Sequence, residues 1–307
     1  MQVLWMVVGA FLFATMGMCI KYAALYFHTA EIVFYRGLIG ILLMWLLSAS
    51  QGISLKTAHP GMHLWRCTVG VTAMGSWFYA ITQMPLASAM TLNYMSSIWI
   101  AVFLLGGALW TLFPASGKPR QALNIPLIIT ILIGFAGVVL MLQPSFAQEQ
   151  TTAALIGLGS GLLSALAYMQ VVALSRIGEP ESRTVFFFGL GCTVAGLVAC
   201  FFTGFTAWPG WQAAAWIIPI GLLAAAGQLC MTKAYASAKT SRGTLVVANL
   251  QYSGIVFAAL YSLFLFNDDL GWEGWLGMAL IVISGIAATI FRARGAAAPP
   301  SAKKPIS

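Results

Sequence analysis

The sequence predicts an all-α integral membrane protein: ten transmembrane helices forming two inverted five-helix repeats, with both termini cytoplasmic. Three observations predict it. Hydrophobic residues make up 60% of the 307-residue chain and charged residues only 7%, against roughly 45–50% and about 25% in soluble domains. The apolar residues fall into runs of membrane-crossing length. The basic residues fall on one side of those runs.

A bilayer-spanning helix needs roughly 20 predominantly apolar residues. That ruler places spans at about Val3 to Leu25, 30–49, 62–82, 86–107 and Asn124 to Gln143 in the first half. The second half gives about 153–175, 184–205, 213–235, 243–265 and 273–291. A transmembrane barrel would alternate polar and apolar residues, and these runs are continuously apolar. The first run begins almost at Met1, without a basic leader or a small-residue cleavage site, so it is expected to be a retained helix.

With the amino terminus inside, twelve of the fifteen basic residues fall on the cytoplasmic side: Lys56, Arg66, Lys118, Arg120, Arg176, Arg183, Lys239, Arg242, Arg292, Arg294, Lys303 and Lys304. The external loops hold acids instead, including Glu149, Asp268, Asp269 and Glu273. This is the positive-inside pattern. It explains the net charge of +8 without nucleic acid. Lys21, Arg36 and Lys233 remain, within or near the ends of spans. The tail over 293–307, rich in Ala, Pro and Lys, reads as disordered.

No metal or cofactor is expected. Five cysteines sit inside spans without CxxC spacing. His59 and His63 are four apart but lack a third ligand. GLGSG at 157–161 follows no strand, so it marks close helix packing rather than a phosphate loop.

The chain also resembles itself. VFYRG at 33–37 and VFFFG at 185–189 each open the second span of a half, and YAAL at 22–25 matches VVAL at 171–174. The halves are 1–144 and 145–292. Five spans per half, an odd number, inverts the second copy in the membrane. Inverted repeats are an architecture of secondary transporters, whose substrate site lies near the midplane between repeats.

Several stretches are similar to one family. AEIVFYRG (30–37) resembles the second helix of the drug/metabolite transporter superfamily in its EamA-type branch. LWRCTVGVTAMGSWFYAITQMPLASAMTL (64–92) resembles that family's helix 3 to helix 4 hairpin. GFAGVVLMLQP (134–144) resembles the end of its helix 5, and ANLQYSGIVFAALYSLFLF (248–266) its helix 9. The chain departs from the family at Ser96-Ser97, where a proline is common, and at 106–108 and 267–269, where a glutamate is common. The resemblance implies a bacterial inner-membrane, multi-pass carrier of small metabolites.

Arg36 is the first candidate contact for substrate, because a charge within a span costs on the order of 3 kcal/mol and marks function by default. It lies about 9 Å along its helix from Ala30. Its partner is either an anionic substrate group or Glu31, and Glu31 is alternatively expected to pair with Lys21. Lys21 either snorkels to the interface or lines a cavity; its counterpart in the second half is Gln170. The remaining candidates for substrate binding are Trp77, Tyr79, Asn93, Tyr94, Trp99, Tyr168, Gln170, Asn249, Gln251 and Tyr252, with Gln228 beside them. Aromatic walls with a few polar groups suit a small ligand, although each amide alone is equally served by an interhelical hydrogen bond. Asn93-Tyr94 and Gln251-Tyr252 sit at similar places in the two halves. Glu31 is the candidate coupling or gating acid.

The expected function is therefore secondary active or exchange transport of a small metabolite, amino-acid-like or nucleoside- or vitamin-like, by alternating access, with export favoured. Its partners are that metabolite, the lipid bilayer and protons as a candidate coupling ion, in a monomer or homodimer. A membrane enzyme is disfavoured by three histidines and few acids. A non-transporting receptor or assembly subunit is the alternative, and short loops argue against it.

Overall fold

A computed structural model of the chain describes residues 2–100, 102–103, 125–141, 148–207, 210–238, 247–248, 250–268 and 271–295. Asn249, Lys118, Arg120, Lys239, Arg242, Asp269 and most of the 293–307 tail lie outside the described residues. Among the described residues there are helices and no strands. The helices are α1 (Gln2–Ala23), α2 (Thr29–Ser50), α3 (Pro60–Gln83), α4 (Leu86–Tyr94), α5 (Ile125–Met141) and α6 (Gln148–Arg176). They continue with α7 (Glu181–Thr203), the single turn α8 (Trp211–Ala214), α9 (Ile217–Ala236), α10 (Ser253–Leu265) and α11 (Trp272–Gly295). The last runs to Gly295, past the expected start of the tail.

Local chemistry sets the helix ends. Glu31, in the first turn of α2, accepts a hydrogen bond from the backbone N–H of His28 at 2.9 Å, which also suits the positive end of the helix dipole. Pro60 occupies the first turn of α3, where no backbone donor is needed. Gly178 follows α6 and Gly204 follows α7, at φ of 83° and 77°, conformations that a side chain would strain.

Among the described residues, five segments are long and apolar enough to cross a membrane: Val3–Ala23, Thr29–Ser50, Thr151–Arg176, Glu181–Thr203 and Trp211–Ala236. Ser253–Leu265 and Trp272–Ser284 are shorter and also apolar. Charged and amide side chains are buried within a largely apolar core, and large apolar side chains cover the outside. Leu42, Trp45, Val198, Phe202, Ile218 and Phe264 are exposed, while Glu31, Arg36, Arg66, Asn93, Gln228 and Gln251 are buried. Only lipid makes that distribution favourable. The molecule is a multi-pass helical membrane protein.

The most intimate helix pairs are α2 with α7, α5 with α11, α3 with α6, and α1 with α9. Further pairs are α1 with α10, α4 with α6, α2 with α9, α3 with α7 and α4 with α10. Exchanging α1 for α6, α2 for α7, α3 for α9, α4 for α10 and α5 for α11 maps this set of pairs onto itself. Glycine permits the closest crossings. A Cβ on Gly37 of α2 would lie 2.6 Å from the backbone nitrogen of Thr193 and 2.8 Å from the carbonyl oxygen of Gly189 in α7. In the GLGSG stretch, a Cβ on Gly161 would lie 2.5 Å from the carbonyl oxygen of Leu92, whereas one on Gly159 would meet open space.

Two helices are interrupted at matching places. α4 ends at Tyr94, and helix resumes over 96–100 after Met95. Residues 247–248 and 250 are helical, Gln251-Tyr252 form a turn, and α10 begins at Ser253. The interruptions meet: Ser97 Oγ donates to the carbonyl oxygen of Ala248 at 3.1 Å. Irregular backbone at membrane depth is tolerated where protein covers it or a cavity adjoins it.

Candidate functional site

A cavity lies beside the α4 interruption. Arg36 from α2, Arg66 and Trp77 from α3, Asn93 and Tyr94 from α4, and Tyr168 from α6 line it. Phe13, Ser164, Phe188 and Gln228 complete the parts of the wall that matter here. Its free volume is about 50 Å³, far below the ~300–1,000 Å³ of typical small-molecule sites. In this conformation the cavity is too small for a molecule of metabolite size.

The polar groups of the wall fall into two sets. Asn93 is satisfied: its Nδ2 donates to Ser160 Oγ at 2.9 Å and Ser164 Oγ at 3.1 Å, which ties the end of α4 to α6. The second set lacks partners. Arg36 Nε, Arg66 Nε and Nη1, Trp77 Nε1 and the Tyr94 hydroxyl are buried without a hydrogen bond. Arg36 reaches only a thiol, Nη1 to Cys192 Sγ at 3.2 Å. Both guanidiniums lie over the Phe188 ring, Arg36 at 5.4 Å and Arg66 at 4.2 Å from its centroid. Buried polar groups ordinarily find partners, and among the described residues these donors have none.

Arg66 corrects an expectation. Counted with the cytoplasmic residues, it is instead only 2% exposed, because α3 begins at Pro60 and carries Arg66 about 9 Å into the bundle. Gly70, one turn on, makes room for it: a Cβ there would collide with Arg66 Nη1.

The polar group expected from Lys21, Glu31 and Arg36 does not form. Lys21 pairs with Asp268, Nζ lying 2.9 Å from each carboxylate oxygen, and sits 4.4 Å from the Phe266 ring centroid. Glu31 meets neither basic residue. Its carboxylate accepts from the Thr206 backbone nitrogen at 3.0 Å, the Thr206 hydroxyl at 2.5 Å and the His28 nitrogen.

Six of the residues singled out from the sequence line the cavity: Arg36, Trp77, Asn93, Tyr94, Tyr168 and Gln228. Tyr79 is 37% exposed; two residues beyond Trp77 it points about 200° around the helix. Gln170 bears the same relation to Tyr168 and is half-buried. Gln251 is buried, but its Nε2 donates to Tyr235 Oη at 2.8 Å, behind the wall rather than on it. Tyr252 is buried in the apolar core, and Trp99 packs against that core.

Polar ties hold both ends of the bundle beyond the cavity. At one end stand Lys21–Asp268, Glu31–Thr206 and the stacked rings of Tyr22 and Trp216, with centroids 4.8 Å apart. At the other, Glu179 is the hub. Thr57 Oγ1 donates to it at 2.7 Å and Arg183 Nη1 at 2.9 Å, and His63 Nε2 lies 3.5 Å away. Arg183 also donates to the Ser54 carbonyl oxygen, fastening the α2–α3 loop to the first turn of α7. Burial alone would raise the Glu179 carboxyl, but hydrogen bonds from Thr57 and Arg183 and the charges of Arg183 and His63 outweigh it and hold it below its ordinary value.

No protein-family model matches the chain. It is 29% identical to an uncharacterized transporter of Helicobacter pylori over 89% of each chain. It is 28% identical to the pseudopaline exporter of Pseudomonas aeruginosa over 92% of each. It is 26% identical to the riboflavin transporter of Vibrio cholerae, over 92% of this chain and 90% of that one. A solved crystal structure shares its fold at a TM-score of 0.63 and 16% identity, over 95% of this chain and 98% of that chain. The chain is thus similar over nearly its full length to membrane transporters of small molecules.

Proposed function

We propose that this chain is a secondary carrier of the drug/metabolite transporter superfamily, EamA-type branch, exporting a small anionic or zwitterionic metabolite across the bacterial inner membrane. Ten helices form two inverted repeats, 1–144 and 145–292, with both termini cytoplasmic. The carrying observation is a small cavity of unpartnered buried donors between two polar-tied ends. An alternating-access carrier needs such a site, reached from one side at a time.

Further observations support the repeats and the mechanism. The helix pairings map onto themselves when the two halves are exchanged. Inverted-repeat carriers form their substrate sites from discontinuous helices, and the interruptions in α4 and before α10 support that reading. Relatives matched over nearly full length are named transporters, one of them an exporter. Glu31, held by Thr206, acts as a gating group in this reading.

The test is release from proteoliposomes loaded with a mixed pool of amino acids, nucleosides and vitamins, followed by mass spectrometry with and without a pH gradient. Selective release of a few compounds is expected. Release no faster than from empty vesicles, with folded protein, contradicts carriage and favours a receptor or assembly subunit.

A further inference from the structure

Two cations face the cavity, and the sequence singled out one. Arg36 is 5% exposed and Arg66 2%. Among the described residues neither pairs with a carboxylate: the ion pairs there involve Lys21, His63 and Arg183. Nor does any acid among the described residues line the cavity. A lone buried charge is costly, and a pair of like charges over one ring is costlier. Each guanidinium gains a little from the Phe188 face, but cation–π contact replaces only part of the lost hydration. What offsets the remainder is an anion, and two guanidiniums with free N–H groups match two negative charges.

We infer that the transported substrate is a dianion, a dicarboxylate or a phosphomonoester on a small ring or apolar body, gripped by Arg36 and Arg66 together. The inference rests on the carrier reading and narrows it to a substrate class. Trp77 Nε1, buried and unpartnered on a residue of the same wall, adds a further donor. Trp77, Tyr168 and Phe188 supply aromatic surface for the body. Gly70 is a positioning residue, because only a glycine leaves the space that the Arg66 guanidinium occupies.

The experiment uses purified full-length protein in detergent and four probes that share a phenyl ring: phenyl phosphate, phenylsuccinate, phenylacetate and phenethylamine. Binding is read as ligand-dependent thermal stabilisation. At least one dianion is expected to bind at least about tenfold more tightly than the monoanion, with the amine weakest. The two dianions tell phosphate from dicarboxylate. Arg66→Gln and Gly70→Ala are expected to erase the preference for two charges while the protein still melts cooperatively. Equal binding of dianion and monoanion, no binding of either dianion by folded wild-type protein, or an unchanged preference in both variants overturns the inference. Counterflow of the same four compounds separates the two readings. Dianions that bind but are never carried sink the carrier and leave the site. Carriage of the monoanion or amine alone sinks the dianion and leaves the carrier.

Discussion

Arg36 and Phe188 occupy matching positions in VFYRG and VFFFG, and they touch: the guanidinium carbon lies 5.4 Å from the ring centroid. The glycines that follow them, Gly37 and Gly189, bring the two backbones together. The self-similar segments thus cross each other in the middle of the bundle. One half contributes a charge there, and the other the aromatic face that receives it.

That crossing depends on Gly37 having no side chain. A Cβ would sit 2.6 Å from a backbone nitrogen in α7, which cannot give way as a flexible side chain could. Gly37→Ala is expected to destabilise the protein by about 1–3 kcal/mol, the usual cost of overpacking. Thermal unfolding in detergent measures it, and an unchanged Tm would show that the helices do not cross this closely.

The Lys21–Asp268 pair should act as a latch. Both side chains are mostly buried, at 20% and 15% exposure, and a partly exposed ion pair contributes on the order of 1 kcal/mol. Asp268→Asn is expected to raise the labelling rate of Cys192 by a water-soluble maleimide about fivefold, in a variant retaining that cysteine alone. Labelling at the wild-type rate would mean that the latch does not control access to the cavity.

Glu179 makes the opposite end sensitive to acid. Its folded carboxyl titrates below its ordinary value of 4.5, so its stabilisation is fully present above that pH. The contribution is lost as pH falls below 4.5 through the folded value. Wild-type Tm should therefore fall more steeply than that of Glu179→Gln as pH is lowered below 4.5. At neutral pH the substitution should cost about 1.5–3 kcal/mol, the range for hydrogen bonds to charged groups. Parallel Tm curves would remove Glu179 from the lock.

The helices were legible in the sequence because hydropathy is a local property: a helical segment lies on each apolar run. Helix faces were not. A helix that is apolar all round carries no stripe to separate a lipid side from an inner side, so Trp77 and Tyr79 looked alike. Partners such as Asp268 for Lys21, and Thr206 for Glu31, depend on which helices meet and left no local trace. Arg66 did leave one. A proline at a helix start followed six residues later by arginine gives the same depth as Ala30 to Arg36, and the positive-inside pattern masked it. Cytoplasmic placement and a span interior make the same contribution to a charge count.

The decisive measurement is counterflow in proteoliposomes with wild-type protein and Arg36→Ala at matched, folded protein levels, using whichever compound the wild type releases. A carrier that grips its substrate through Arg36 predicts a fall of roughly hundredfold, corresponding to about 3 kcal/mol for lost charged contacts. Wild-type rates in Arg36→Ala would contradict it and move the transport path away from this cavity.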